Sequence, residues 1–338
     1  MSKFKNLDNI NLLRALGIVL VVLRHSFAPF IGSWKLDYNF DFNYFVVGKY
    51  ISTFSMPLFV CISGYTFGFL RIQLHKYRNF KEFIYKKYKR LLIPFLLLAP
   101  IYVITFNEVV SFKIFIRLLF NSPGHFWFLL MLFLVFSIFY LFEKKFREKI
   151  KFSIVFTSLL FCLYPLFGYL QIIPISNLCK YLPFFYCGYL FFLKQDKISN
   201  ILKDRNLIII TTHLILFCSY IYLESIETKT ILIKILTYYS ILPLGILSIC
   251  FLFSIFAFKK IDSKVLNNKL IKLINTNSYY IYIIHEPILK LYYLNNLGLL
   301  SNFKPILILL GFFSSMILSI FLSKILLKSK YGKLLVGA

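Results

Sequence analysis

The chain has 338 residues, of which 59% are hydrophobic, 20% aromatic and 15% charged, and its mean hydropathy is +0.76. A soluble globule of this length is about half apolar and about a quarter charged, so a soluble fold is excluded and a polytopic membrane protein is implied. The formal charge of +26 does not indicate a nucleic-acid partner, because the basic residues are confined to short segments between apolar runs, as the positive-inside rule produces.

A spanning helix needs about 20 mostly apolar residues. Ten runs of roughly that kind are predicted, at 12–30, 45–70, 91–106, 125–142, 152–170, 178–193, 207–223, 231–258, 274–294 and 304–327. Of the 39 lysines and arginines, 28 fall in the two tails and alternate connecting segments, nine on the opposite side and two inside the first run. That bias places both termini in the cytoplasm. No linker, composition shift or short repeat divides the chain, so a single all-α transmembrane bundle over 1–338 is expected. A short interfacial helix is expected around 112–120. The six cysteines include no C-x-x-C pair and the histidines no H-x-x-x-H or H-E-x-x-H spacing, so neither metal nor disulfide is assigned.

The first run, Leu12 to Phe30, carries Arg14, Arg24 and His25 in an otherwise apolar stretch. Ionisable groups inside a span are costly and serve a substrate path, an ion path or one another. Arg14 and His25 are eleven residues apart, which returns a helix to within about 20° of the same face and separates the two groups by about 16 Å along its axis. A guanidinium near one membrane surface and an imidazole near mid-depth on one stripe suit a site reached from both sides. Arg24 points about 80° away from Arg14 and is expected to pair with a different neighbour.

The second run contains Pro57 and the small residues Ser63, Gly64 and Gly68. Tight helix packing and a ligand-lining role are equally open for them. The inner loop after it ends in KKYKRLLIPF, with Arg90 and Pro94 where the third run begins. That cluster is either an inside anchor or a cationic mouth for a phosphorylated donor. His125 opens the fourth run on the outer side, where exposure is expected, beside Trp127 as an interfacial anchor. In the ninth run, NTNSYYIYIIHEPIL places His285 at a depth similar to that of His25, with Tyr282 one turn before it and Glu286 after it. His213, alone in an apolar run, is expected to be a satisfied core histidine.

Taken in order, these segments resemble acyltransferase family 3, the polytopic membrane acyltransferases that modify cell-envelope glycans. Arg14 to His25 is similar to the R-x10-H signature of the first span. Met56–Phe69 looks like the F-x-x-S-G-Y element, Arg90–Pro94 the R-x-x-x-P element, and His125–Leu129 the H-x-W-F-L element. Tyr181–Phe191 resembles P-F-F-x-x-G-Y, and Ser278–Leu289 resembles S-x-x-I-Y-x-x-H. Six elements in order cover nearly the whole chain; Glu286 departs from the pattern, in which an apolar or small residue more usually follows the histidine.

The resemblance implies transfer of an acyl group, most simply acetyl, from a cytoplasmic acyl-CoA to a hydroxyl of an envelope or lipid-linked saccharide. It implies a catalytic His25 and a donor-side Arg14. His25 is expected to act as general base or as an acyl-carrying nucleophile. Ser63, Gly64, Tyr65 and Arg90 are expected on the donor side, and His285, His125 and Tyr282 as acceptor-side or orienting groups. Acyl-CoA is then a co-substrate, with no resident cofactor, and the location is the plasma membrane. A rival from another class is a transporter, which also places ionisable groups at mid-depth.

Overall fold

The computed structural model describes residues 5–34, 36, 38–106, 122–259, 261–296 and 303–338. The regular elements among them are all helical. In chain order they are α1 (Lys5–Ser26), α2 (Phe42–Gly68), α3 (Phe80–Lys87), α4 (Ile93–Phe106), α5 (Trp127–Glu148), α6 (Ile150–Tyr169), α7 (Ile173–Leu193), α8 (Gln195–Leu202), α9 (Asn206–Ser225), α10 (Ile231–Tyr239), α11 (Ile241–Leu252), α12 (Ser263–Leu266), α13 (Lys269–Asn295), α14 (Lys304–Leu326) and α15 (Lys330–Leu335). The interfacial helix expected at 112–120 lies outside the described residues.

Seven helical runs among the described residues are long and apolar enough to cross a membrane, and the chain is a multi-pass membrane protein. The remaining predicted spans are α1, α7 and α13, helices of 22, 21 and 27 residues. At about 1.5 Å per residue each reaches about 30 Å or more, the thickness of a hydrocarbon core. They carry ionisable residues within the run: Arg14, Arg24 and His25 in α1, Lys180 in α7, and His285, Glu286 and Lys290 in α13. The periphery has the opposite character. Only 22% of the most apolar stretch of α6, and of α9, is buried within the protein. Their outward Leu, Ile and Phe side chains need an apolar solvent, which lipid supplies.

Some expected boundaries move. The first span ends at Ser26, because Pro29 lacks an N–H to continue the helix and Ala28–Ile31 tightens into a 3-10 turn closed by Gly32 in the left-handed region (φ 67°). His25 therefore lies in the final turn of α1, not midway along a span reaching Phe30. The run at 231–258 is broken into α10, α11 and a π-helical turn at Phe253–Ala257.

The chain divides into two compact units, one of residues 1–62 and 190–320 and the other of residues 63–189 and 321–338. In the first, α1 packs lengthwise against α13, burying Ile10, Leu13, Ile18, Val21 and Val22 almost completely. The helix through the π-helical turn Phe253–Ala257 ends there, and a helix end leaves its last carbonyls without donors. Asn9 on α1 answers this by donating its amide to Ala257 O (3.2 Å) and Lys259 O (2.9 Å). At the other end of α1 the Tyr293 hydroxyl donates to Ser26 O (2.6 Å). The loop after α1 is tied down by Tyr38, whose hydroxyl donates to Tyr293 O (3.0 Å).

The second unit is built on an aromatic core around Phe67, whose ring centroid lies 5.6 Å from Phe139, 5.7 Å from Phe83 and 6.0 Å from Phe185. Gly64 lets α2 approach the backbone of α7. A Cβ there would fall 1.9 Å from Phe185 O and 3.1 Å from Tyr189 N. Of the two roles open for this glycine, close packing is the one its surroundings require. Gly337, at φ 66°, fits against the backbone of Arg90 in the same way: a Cβ there would fall 2.7 Å from the Arg90 carbonyl oxygen.

Replacing Gly64 forces the two backbones apart, because the obstacle is a carbonyl and not the end of a mobile side chain. Gly64→Ala is expected to cost about 1–3 kcal/mol or more, read as a lower thermal unfolding midpoint of the detergent-purified protein. Gly17→Ala, which meets only the Phe59 ring at 3.2 Å, should cost less. Equal midpoints for the two variants contradict this packing.

Candidate active site

His25 stands where α1 runs out of helix, so its imidazole turns back onto the last carbonyls. Its Nδ1 lies 2.9 Å from Val21 O and 3.1 Å from Nε2 of His285. His285 is fully buried, and its own Nδ1 faces two carbonyls, Tyr282 O at 2.8 Å and Ile281 O at 3.0 Å. A carbonyl only accepts, so Nδ1 of His285 carries the proton and its Nε2 presents a lone pair. The same reasoning places a proton on Nδ1 of His25, shared between Val21 O and the lone pair of His285. Nε2 of His25 is then the nitrogen that carries the ring's lone pair. It faces Glu286 Oε2 at 3.6 Å, just beyond hydrogen-bond reach. The two rings meet edge to face with centroids 4.9 Å apart, and the His25 side chain keeps 14% exposure.

The chemical capacity of this group follows. A neutral imidazole with its Nδ1–H fixed offers Nε2 as a base or nucleophile near neutral pH. A carboxylate beside that nitrogen stabilises the cation formed when a proton or an acyl group arrives. Glu286 is 2% exposed and His285 is held by a further contact, the Ser315 hydroxyl donating to His285 O at 3.1 Å. Tyr282 belongs to the same cluster through its carbonyl and a ring centroid 5.9 Å from that of His285.

The other expected residues are placed as follows. Helix α1 is unbroken, so Arg14 keeps its eleven-residue stagger from His25. It is half-buried and donates to Asn11 Oδ1 at 3.3 Å. Arg24 pairs elsewhere, with the hydroxyls of Ser52 (3.3 Å) and Ser33 (3.4 Å). His213 is a core residue bonded to Ser248 Oγ at 2.8 Å.

Ser63, Gly64, Tyr65, Arg90 and His125 belong to the second unit. Ser63 is half-buried, Tyr65 is 3% exposed, and Arg90 is exposed in the π-helical turn Tyr88–Leu92 before α4. The expectation that His125 is exposed is overturned: it is 2% exposed. Gly124, at φ 50°, turns the chain inward so that the imidazole packs against Phe126 and Tyr102, with centroids 4.2 and 6.2 Å away. Trp127 stacks on Tyr181 with ring centroids 5.3 Å apart.

Two features escaped sequence reasoning. Glu286 follows His285 directly, about 100° round the helix, and its sign was its cost, a carboxylate inside a span. Glu143, counted with a basic loop, is 4% exposed on an α5 that runs six residues further than expected. It meets Arg71 (3.8 Å), Arg147 (3.7 Å) and the Tyr189 hydroxyl. Arg71, like Arg90, sits in a π-helical turn, here Phe69–Gln73.

A family model described as an acyltransferase domain matches residues 7–324, nearly the whole chain. No curated protein and no solved structure matches it.

The tie from Tyr293 to Ser26 sets the end of α1 beside α13. Tyr293→Phe is expected to remove about 1 kcal/mol of stability. Amide exchange over residues 22–32 should also rise more than elsewhere in the protein, as hydrogen–deuterium exchange would report. Unchanged protection there contradicts the tie.

Proposed function

Because the chain belongs to the acyltransferase 3 family and is a multi-pass membrane acyltransferase, we propose that it moves an acetyl group from cytoplasmic acetyl-CoA to a hydroxyl of an envelope or extracellular glycan, at the plasma membrane. The observation that carries this reading is the orientation of His25. Its Nδ1–H is occupied by Val21 O and His285, and its Nε2 lies 3.6 Å from Glu286 Oε2.

In this proposal Nε2 of His25 takes the proton of the acceptor hydroxyl while the oxygen attacks the thioester carbonyl. The C–S bond then breaks and the leaving thiolate recovers the proton from His25. Glu286 stabilises the imidazolium between those two events, and His285 holds the tautomer that leaves Nε2 available. Direct attack of Nε2 on the thioester, giving an acyl-histidine, uses the same lone pair. Arg14 binds a donor phosphate or the thioester carbonyl. The motif residues Ser63, Gly64, Tyr65 and Arg90 take donor-side roles through their place in the family pattern, Gly64 by the close packing it permits. His125 and Tyr282 act as orienting groups. Thioester cleavage is downhill, so the demand on the site is positioning and one proton transfer, for which general-base catalysis supplies about 10²–10⁴-fold.

The test is transfer of labelled acetyl from acetyl-CoA to glycan in membranes carrying the protein. His25→Ala should lose at least about 10²-fold in rate while remaining monodisperse, and Glu286→Gln should lower the maximal rate with little change in the Michaelis constant for donor. Arg14→Ala should chiefly raise that constant. Near-normal turnover by folded His25→Ala removes the histidine from the chemistry, and solute movement without covalent change favours a transporter.

A further inference from the structure

Beyond the proton-transfer group, α13 continues outward through Lys290 to Tyr293, and the loop after α1 folds against this stretch. Trp34 in that loop is half-buried, with its ring centroid 6.2 Å from that of Tyr293 and 5.6 Å from Lys290 Nζ. Tyr38, also half-buried, lies 5.7 Å from Tyr293 and 5.2 Å from Phe30. An indole that served only to fill a core would be covered. This one is fixed by a buried tyrosine and an ammonium group and still reaches the surface.

Two basic side chains, Lys290 and Arg24, flank it, and the carboxylate nearest to Lys290 on α13 is Glu286. Lys290 is one helical turn from Glu286, about 6 Å along α13. Arg24 reaches Ser33, the residue before Trp34, at 3.4 Å. The nearby Lys304 is committed to Asp41 at 2.9 Å. The hydrogen bond from Lys304 holds the Asp41 carboxyl below its usual range, so Asp41 is protonated only in acid.

We propose that Trp34 and Lys290 form the acceptor-side subsite, and that the acceptor is a sugar carrying a negative charge close to the acylated hydroxyl. This rests on the acyltransferase reading above. The flat indole takes the C–H face of a pyranose ring. The compact ammonium of Lys290 takes a carboxylate or phosphate as a point charge. The single helical turn between Lys290 and Glu286 then sets a neighbouring hydroxyl of the same sugar at Nε2 of His25.

The test uses two trisaccharides that differ only in a carboxylate replacing one hydroxymethyl group, with the full-length protein in lipid nanodiscs. Trp34 and Trp127 are the two tryptophans, so in a Trp127→Phe background Trp34 fluorescence reports binding independently of turnover. The acidic probe should bind about tenfold more tightly than the neutral one, with the difference shrinking as salt is raised. Lys290→Gln should abolish the preference by raising the Michaelis constant for the acidic probe alone, at an unchanged maximal rate. Trp34→Phe, which removes the fluorescent reporter, should raise the Michaelis constants for both probes alike. Equal affinity in the unmodified protein overturns the subsite. So does a Lys290→Gln variant that loses maximal rate equally with both probes, since Lys290 would then serve Glu286 only. Discrimination in binding without any acetyl transfer leaves the subsite standing and overturns the acyltransferase reading instead.

Discussion

The contact on which the rest depends is a hydrogen bond between two imidazoles, His25 on α1 and His285 on α13, at 3.1 Å. An imidazole has two nitrogens with opposite roles in its neutral form, so one wrong partner inverts the chemistry at the other end of the ring. Here each Nδ1 is turned onto backbone carbonyls of its own helix, Val21 O for His25 and the Ile281 and Tyr282 carbonyls for His285. Backbone acceptors cannot change protonation state. They set both tautomers, and they do so whatever the surrounding solvent.

Such a contact exists only while α1 and α13 keep their register, and the sequence ties both ends of α1. Asn9 satisfies the carbonyls of Ala257 and Lys259 where the helix through Phe253–Ala257 ends, and Tyr293 of α13 holds the last turn of α1 through Ser26 O. Between them the seam is filled by fully buried aliphatic residues such as Leu13, Ile18 and Val22. Packing against a polar helix is costly in lipid unless its polar groups are answered from the protein side. The helices that carry the ionisable residues are accordingly packed against protein, while α6 and α9, with few such residues, turn most of their surface outward.

Much of this was legible in the chain. Apolar runs of about 20 residues located the helices because a bilayer leaves the backbone no other way to satisfy its hydrogen bonds. The eleven-residue spacing of Arg14 and His25 marked the first helix, and the resemblance carried the family. What was not legible depended on how helices end and on which neighbour fills a gap. The stop at Ser26 came from Pro29 and a left-handed Gly32 acting together on an apolar run that otherwise continues. The burial of His125 came from a turn at Gly124, where a position next to a loop reads as exposed. Glu286 had a visible cost and no visible partner, because the partner lies 261 positions away in the sequence, on another helix.

The central claim is that His25 carries its proton on Nδ1 and its lone pair on Nε2, beside Glu286. Nitrogen-15 NMR of histidine-labelled protein in lipid nanodiscs reads this directly, with the His25 signals assigned by comparison with His25→Gln. The account predicts a pyrrole-type Nδ1 and a pyridine-type Nε2 for His25 at neutral pH, and loss of that single-tautomer pattern in His285→Ala. A pyridine-type Nδ1, or a pattern indifferent to the removal of His285, contradicts it.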